Sequence, residues 1–510
     1  MNRTILVMFS SAVVLAALLL LLARTDTTQR QRNVDGRSGD GEPLMLFCAA
    51  SNRAVMESIR ADYEREFDTS IQIQYGASQT LLSSMEVSQS GDLYLPADDS
   101  FLDIAGEKDL IAEVLPVARM QGVIAVARDN PKSIDQFSDL LRDDVVVVQA
   151  NPDAAAIGKL ARKMLREQKL WEGLDQATTA YRTTVTDVAN DIVVGAADAG
   201  IVYDAVLHTY PDLEYVELPE LEAAASQVSI GVIATTKQPQ AALHFARYVT
   251  ASDRGLKHYS DHGFRVSGGD LWADVPEIVV FAGSMLRPAI DETITAFENR
   301  EGVLVTRVYN GCGILVAQMK SGQHPDIYFA CDTEFMQQVP DLFPDSVDIS
   351  QNELVILVQK GNPKNIATLE DLTREGVRVG VGHEKQCAMG WLTQNVFREG
   401  GVQQEVMANV TVQSPTGDML VNQLRTGSLD AAVAYLSNAA GAGEFLDAIR
   451  IKDIQCSLAT QPFAIAPGSP NAQTASRILK QICSSESEAS FKLEGFRWQY
   501  DAPGEGGNER

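Results

Sequence analysis

Basic residues are scarce in this chain. Forty-two Lys and Arg stand against 68 Asp and Glu over 510 residues, a formal net charge of −26. Nucleic acid requires a basic footprint, so it is excluded as a partner. A small anion is not excluded, because N–H donors at helix starts bind anions locally on an acidic surface. Cysteine is sparse and uneven, with six at 48, 312, 331, 387, 456 and 483. A disulfide scaffold would distribute them, so disulfides are not the framework; Cys456 with Cys483 is one possible bridge. No G-x-S-x-G surrounds the serines singled out below. No Walker loop is present, which excludes a transport ATPase. A single long hydrophobic run, Ile5 to Ala23, excludes a permease.

What the chain does contain is itself, twice. Leu46-Phe47-Cys48-Ala49-Ala50-Ser51 and then Tyr75-Gly76-Ala77-Ser78 are echoed by Val279-Val280-Phe281-Ala282-Gly283-Ser284 and Tyr309-Asn310-Gly311-Cys312. Asp92, Asn130, Tyr203 and Gly263-Phe264-Arg265 return as Asp326, Asn362, Tyr435 and Gly495-Phe496-Arg497, displaced by 232–234 residues. Copies this long exceed solenoid units, which run about 20–50 residues. No histidine recurs between them, so a Ser-His dyad would not have been duplicated. The aspartates that do recur, Asp92/Asp326, Asp187/Asp418 and Asp198/Asp430, suit helix starts and strand ends.

The expected organisation follows. Residues 1–24 read as a signal anchor or signal peptide, with anchoring in the cytoplasmic membrane by residues 5–23 favoured. Residues 25–42 form a flexible tether, 43–272 and 276–500 two large units, and 501–510 a frayed tail. Within a copy, apolar strands alternate with helical patterns. Leu44 to Ala50 precedes Val55, Ile59, Tyr63 and Phe67 at helical spacing, and later strands include Gly122 to Ala127 and Gly200 to Val202. That alternation predicts an α/β fold with parallel sheets covered on both faces and ligands beyond the strand ends.

Ser51, Ser78 and Ser284 each follow a strand and open a helix. They are either helix caps or, where two such termini converge, donors for an anion. The set Ala49-Ala50-Ser51, Tyr75-Gly76-Ala77-Ser78, Gly91-Asp92-Leu93-Tyr94, Asn151-Pro152, Gly200-Ile201-Val202-Tyr203 and Gly263-Phe264-Arg265 resembles the periplasmic molybdate-binding proteins of ABC transporters. The resemblance implies tandem type II periplasmic-binding units, each of two α/β lobes with a ligand cleft between them. The chain would cross between lobes near 120–126 and 222–230 in copy one, and near 351–357 and 455–463 in copy two.

That family holds a tetrahedral oxyanion with two serines, backbone amides and a tyrosine. The positions implied in copy one are Ser51, Ser78, Ile157, Val188 and Tyr203. Those in copy two are Ser284, Cys312, Met389, Met419 and Tyr435. Cys312 stands where the second serine belongs, and a thiol is a weak donor for a hard oxyanion. Cys312, Cys331 and Cys387 near one cleft suggest packing, a 312–387 disulfide or a soft metal. The resulting expectation is an extracytoplasmic, non-enzymatic solute-binding protein for a molybdate- or tungstate-like anion. It would serve an ABC permease and carry no cofactor or catalytic metal. The alternative is a membrane-tethered sensor or binding module of the same fold with another ligand, such as sulfate, phosphate or a metal.

Overall fold

A computed structural model describes residues 42–452 and 454–501; the hydrophobic run, the tether through Gly41 and the tail beyond Asp501 lie outside them. Among the described residues no helix is long and apolar enough to cross a membrane.

Both copies build the same sheet order. In copy one the strands lie side by side as Ile71–Gly76, Leu44–Ala49, Leu93–Leu95, Ala225–Ile233, Ile111–Ala127, Ala199–Tyr203, Val147–Ala150 and Thr178–Arg182. In copy two they lie as Leu304–Asn310, Glu277–Gly283, Ile327–Phe329, Leu458–Ile465, Val347–Gln359, Ala431–Tyr435, Val379–Gly382 and Val410–Ser414. Ala199–Tyr203 and Ala431–Tyr435 are buried at every position, as a strand covered by helices on both faces must be.

The sheets are mixed, which corrects the purely parallel expectation. Leu44–Ala49 runs parallel to both its neighbours. The two strands that join the lobes run against their partners, because one leaves a lobe and the other returns. Val347–Gln359 pairs antiparallel with Leu458–Ile465 through Val347–Glu353, then antiparallel with Ala431–Tyr435 through Leu354–Val358. In copy one Ile111–Ala127 lies between Ala225–Ile233 and Ala199–Tyr203 and runs antiparallel to the latter, and Gly122 N–H donates to the Ala224 carbonyl (2.7 Å) at the crossing. Both crossings fall where the sequence places them.

The recurring aspartates are structural. Asp92 accepts from Met45 N–H (2.8 Å) and Asp326 from Val279 N–H (2.7 Å), each tying the first strand of its copy to the turn before the third. Asp198 and Asp430 accept from Val146 and Arg378 N–H in the same way. Gly158, in the first turn of helix Ala156–Glu167, lets that turn ride on the end of Val147–Ala150. A Cβ there would sit 2.3 Å from the Ala150 carbonyl oxygen. Gly158→Ala is expected to cost about 1–3 kcal/mol by overpacking, read as a lowered denaturant midpoint at unchanged m-value.

The described residues fall into two compact units. One runs to Glu113 and resumes as Met120–Lys237; the other takes Val114–Arg119 and the chain from Gln238 onward. Within the second unit, Glu301 ends helix Arg287–Glu301 fully buried. Arg477 of helix Ala472–Ile482 grips it through two bonds (2.8 and 2.9 Å), and Arg247 of helix Pro239–Thr250 adds a third (3.3 Å).

Candidate functional site

In copy one, Ser51, Ser78, Ile157 and Tyr203 line a single hollow of about 240 Å³ together with Thr184 and Val185. Ser51 stands in the tight turn Ala50–Asn52 between the first strand and helix Arg53–Phe67, and Ser78 opens helix Ser78–Ser88. Neither serine acts as a helix cap, since the cap positions are Ala49, Asn52 and Ala77 and carry no side-chain cap bond. Ser78 Oγ accepts from Ala97 N–H (3.1 Å), and its carbonyl accepts the Tyr94 hydroxyl (2.8 Å). Ser51 Oγ accepts only a long bond from Asn52 Nδ2 (3.4 Å). Both hydroxyls therefore keep a proton to donate.

The second lobe brings two more helix starts. Helices Ala156–Glu167 and Val185–Val193 begin at the hollow, and the leading N–H groups of a helix have no acceptor within it. Thr184 and Asp187 form a capping box that fixes the second of these starts. Four helical segments thus point their positive ends at one space. Tyr203 ends a buried strand with its hydroxyl 2.8 Å from Ser226 Oγ. Burial pushes its phenol well above the usual range, against the bond from Ser226, so it remains a neutral donor. Gln79 N–H donates to the Ala154 carbonyl (3.1 Å) across the cleft, one backbone link between the lobes.

None of the residues lining this hollow carries a charge. Converging N–H and O–H donors without carboxylates favour an anion and give a cation nothing to bind. Val188, expected in the site, is fully buried outside the hollow, and its N–H is taken by the Thr184 carbonyl (3.4 Å). The helix starts at Val185, and Thr184 and Val185 line the hollow in its place. Sequence reading also missed Ser226, whose only signal was its position opposite Tyr203.

Copy two keeps the frame and changes the lining. Ser284, Met389 and Tyr435 line its hollow with Cys331, Thr416 and Gly417. Ser284 begins a short turn behind Gly283 and makes no cap bond, so the capping reading fails here too. Met419 is half exposed and outside the hollow. Cys312 opens helix Cys312–Lys320 as expected but lies fully buried behind the lining, its Sγ accepting from Cys331 N–H (3.1 Å). All six cysteines are free, so neither the 312–387 nor the 456–483 bridge is formed. Among the described residues no three His, Cys, Asp or Glu are placed to hold a metal ion. Gly313 N–H donates to the Gln386 carbonyl (3.0 Å) across the cleft, matching Gln79 in copy one.

Comparison with known proteins places both copies. The family model described as bacterial extracellular solute-binding protein matches residues 44–265 and again 278–497. A molybdate-binding protein ModA of Mycobacterium bovis is 25% identical over 258 residues, covering 50% of this chain and 97% of the relative. Among solved structures, the substrate-binding domain of a putative molybdenum ABC transporter from Clostridium difficile is 22% identical with TM-score 0.36, covering 44% of this chain and 99% of that one. The sulfate-binding protein SubI from Mycobacterium tuberculosis is 17% identical with TM-score 0.38, covering 44% and 87%.

Proposed function

Since the chain belongs to the bacterial extracellular solute-binding protein family, matched once by each copy, we propose that it is an extracytoplasmic receptor for a tetrahedral oxyanion of the molybdate and tungstate class. In this reading residues 43–272 and 276–500 are tandem binding units. Residues 5–23 anchor the chain in the membrane, and the liganded form is delivered to an ABC permease. The family is one of solute-binding proteins rather than enzymes.

One observation carries the ligand class. Four helix starts and the hydroxyls of Ser51, Ser78 and Tyr203 meet at a hollow whose lining is uncharged. A dianion there is stabilised by fixed dipoles. The molybdate-binding relative spans the same half-chain length and supports the choice among tetrahedral anions. Ser51, Ser78, Tyr203 and the Ile157 and Val185 amides are the assigned donors. Closing the lobes around the anion is a hinge motion about the two crossing strands.

Calorimetric titration of the full chain with molybdate, tungstate, sulfate and phosphate tests this. One high-affinity oxyanion site per chain is expected, with phosphate the weakest of the four. Near neutral pH phosphate retains a proton, and a lining of donors leaves its O–H without an acceptor side chain. Equal affinity for phosphate and molybdate, or no heat with any of the four, would remove the assignment.

A further inference from the structure

The second cleft differs from the first by a coordinated set of replacements. In the matched order of strands and helices, Cys312 stands where copy one has Ser78, Cys331 where it has Ala97, Cys387 where it has Ala155, Met389 where it has Ile157 and Met285 where it has Asn52. Every one of these changes brings in sulfur. Two further changes make room for it. Gly283 replaces Ala50, and a Cβ there would lie 2.1 Å from Cys331 Sγ; Gly382 replaces Ala150, and a Cβ there would lie 2.9 Å from Cys387 Sγ. Cys312 and Cys331 hold their sulfurs 2.6 Å apart on one lobe, and Cys387 faces the same hollow from the other.

A second observation points to a ligand. Tyr203 of copy one bonds Ser226, but copy two has Ala459 at that place. The Tyr435 hydroxyl, on a residue only 2% exposed, is left without a hydrogen-bond partner among the described residues, on a side chain that lines the hollow. A buried hydroxyl without a partner is unfavourable, so something bound there would relieve it. Ser284 lines the same space.

We propose that the second cleft is a site for a small thiophilic hydroxide, arsenic(III) hydroxide being the representative ligand. It is neutral near pH 7, which suits a buried lining without cationic side chains. The thiol of Cys331, which lines the hollow, and that of Cys312, in contact directly behind it, displace two of its hydroxyls: two S–H and two As–O bonds break, two As–S bonds form, and two waters leave. No oxidant takes part. The hydroxyl that stays on arsenic meets Tyr435 and Ser284. Soft sulfur donors select such a centre over the hard oxyanions that suit copy one. This site is independent of the oxyanion reading of copy one.

The test uses the full chain, reduced and kept under argon, incubated with arsenite, desalted and assayed for arsenic. One arsenic per chain is expected. Cys331→Ala, which restores the residue that copy one carries, and Cys312→Ser should each lose it, with folding confirmed by an unchanged melt. A Cys456→Ser, Cys483→Ser variant should retain it. Tyr435→Phe keeps every thiol and should release arsenic faster, which a bare thiol pair would not predict. The Ser51→Ala, Ser78→Ala variant should still bind arsenic while losing oxyanion heat, so the two readings fail separately. No arsenic on the reduced chain, unchanged uptake by Cys331→Ala, or peptide mapping of a reductant-resistant 312–331 disulfide would overturn the proposal.

Discussion

Replacing Ser51 and Ser78 together by alanine is expected to abolish measurable oxyanion binding by copy one. A hydrogen bond to a charged acceptor is worth about 1.5–3 kcal/mol. Each tenfold in affinity corresponds to about 1.4 kcal/mol, so either single variant should weaken binding by roughly 10- to 150-fold. The double variant should lose about 10²- to 10⁴-fold, with the two effects not strictly additive because both hydroxyls face the same anion. Ser51→Ala should change stability little, since Ser51 caps no helix, whereas Ser78→Ala should cost about 1–3 kcal/mol. Ser78→Ala also removes the acceptor of Ala97 N–H, so Ser51→Ala is the cleaner single probe. Titration calorimetry reads the affinity, and a melt without ligand confirms the fold. Affinity unchanged in the double variant would show that the anion sits elsewhere.

The second large effect lies away from the clefts. Glu301→Ala is expected to destabilise the second compact unit by about 3–5 kcal/mol, because it leaves two buried guanidinium groups without their carboxylate. Burial pushes the Glu301 carboxyl upward, but Arg477 and then Arg247 outweigh it and hold the group below the ordinary glutamate range. A carboxyl depressed on folding contributes stability that is present above its unfolded value, about 4.3. That contribution is lost as the pH falls through the folded value. The wild-type chain should therefore lose stability steeply only below about pH 4. Glu301→Gln should be less stable at neutral pH and show a flatter acid limb. Chemical unfolding followed between pH 3 and pH 7 measures both. Parallel curves for wild type and Glu301→Gln would mean that the carboxyl is not charged in the folded chain.

The duplication made much of this legible from sequence. Ser51, Ser78, Ile157 and Tyr203 could be proposed together because the resemblance to the molybdate-binding family names those positions, and the repeat supplied their counterparts Ser284, Cys312, Met389 and Tyr435. The structure gathers each set at one cleft, with Cys312 one layer behind its lining. Where the reading slipped, the cause is local geometry. Val188 is the fourth residue of its helix, where the Thr184 carbonyl already takes its N–H, and Met419 is the third residue of its own, with a half-exposed side chain that lies outside the hollow. The length of strand Ile111–Ala127 was hidden by Pro116, a residue that argues against a strand when only the pattern is visible. The antiparallel crossings were equally hidden, because alternation of strands and helices says nothing about which strand returns between lobes. Pairing of the copy-two cysteines depended on which residue follows strand Ile327–Phe329 in space, and spacing alone does not give that.

Tungstate soaked into crystals of the full chain, located by its anomalous scattering, tests the central claim most directly. Tungsten in the copy-one hollow, with Ser51 Oγ, Ser78 Oγ and the Tyr203 hydroxyl as neighbours and no charged side chain in contact, is the predicted result. Tungsten bound only by surface lysines or arginines, with that hollow empty at saturating tungstate, would contradict it.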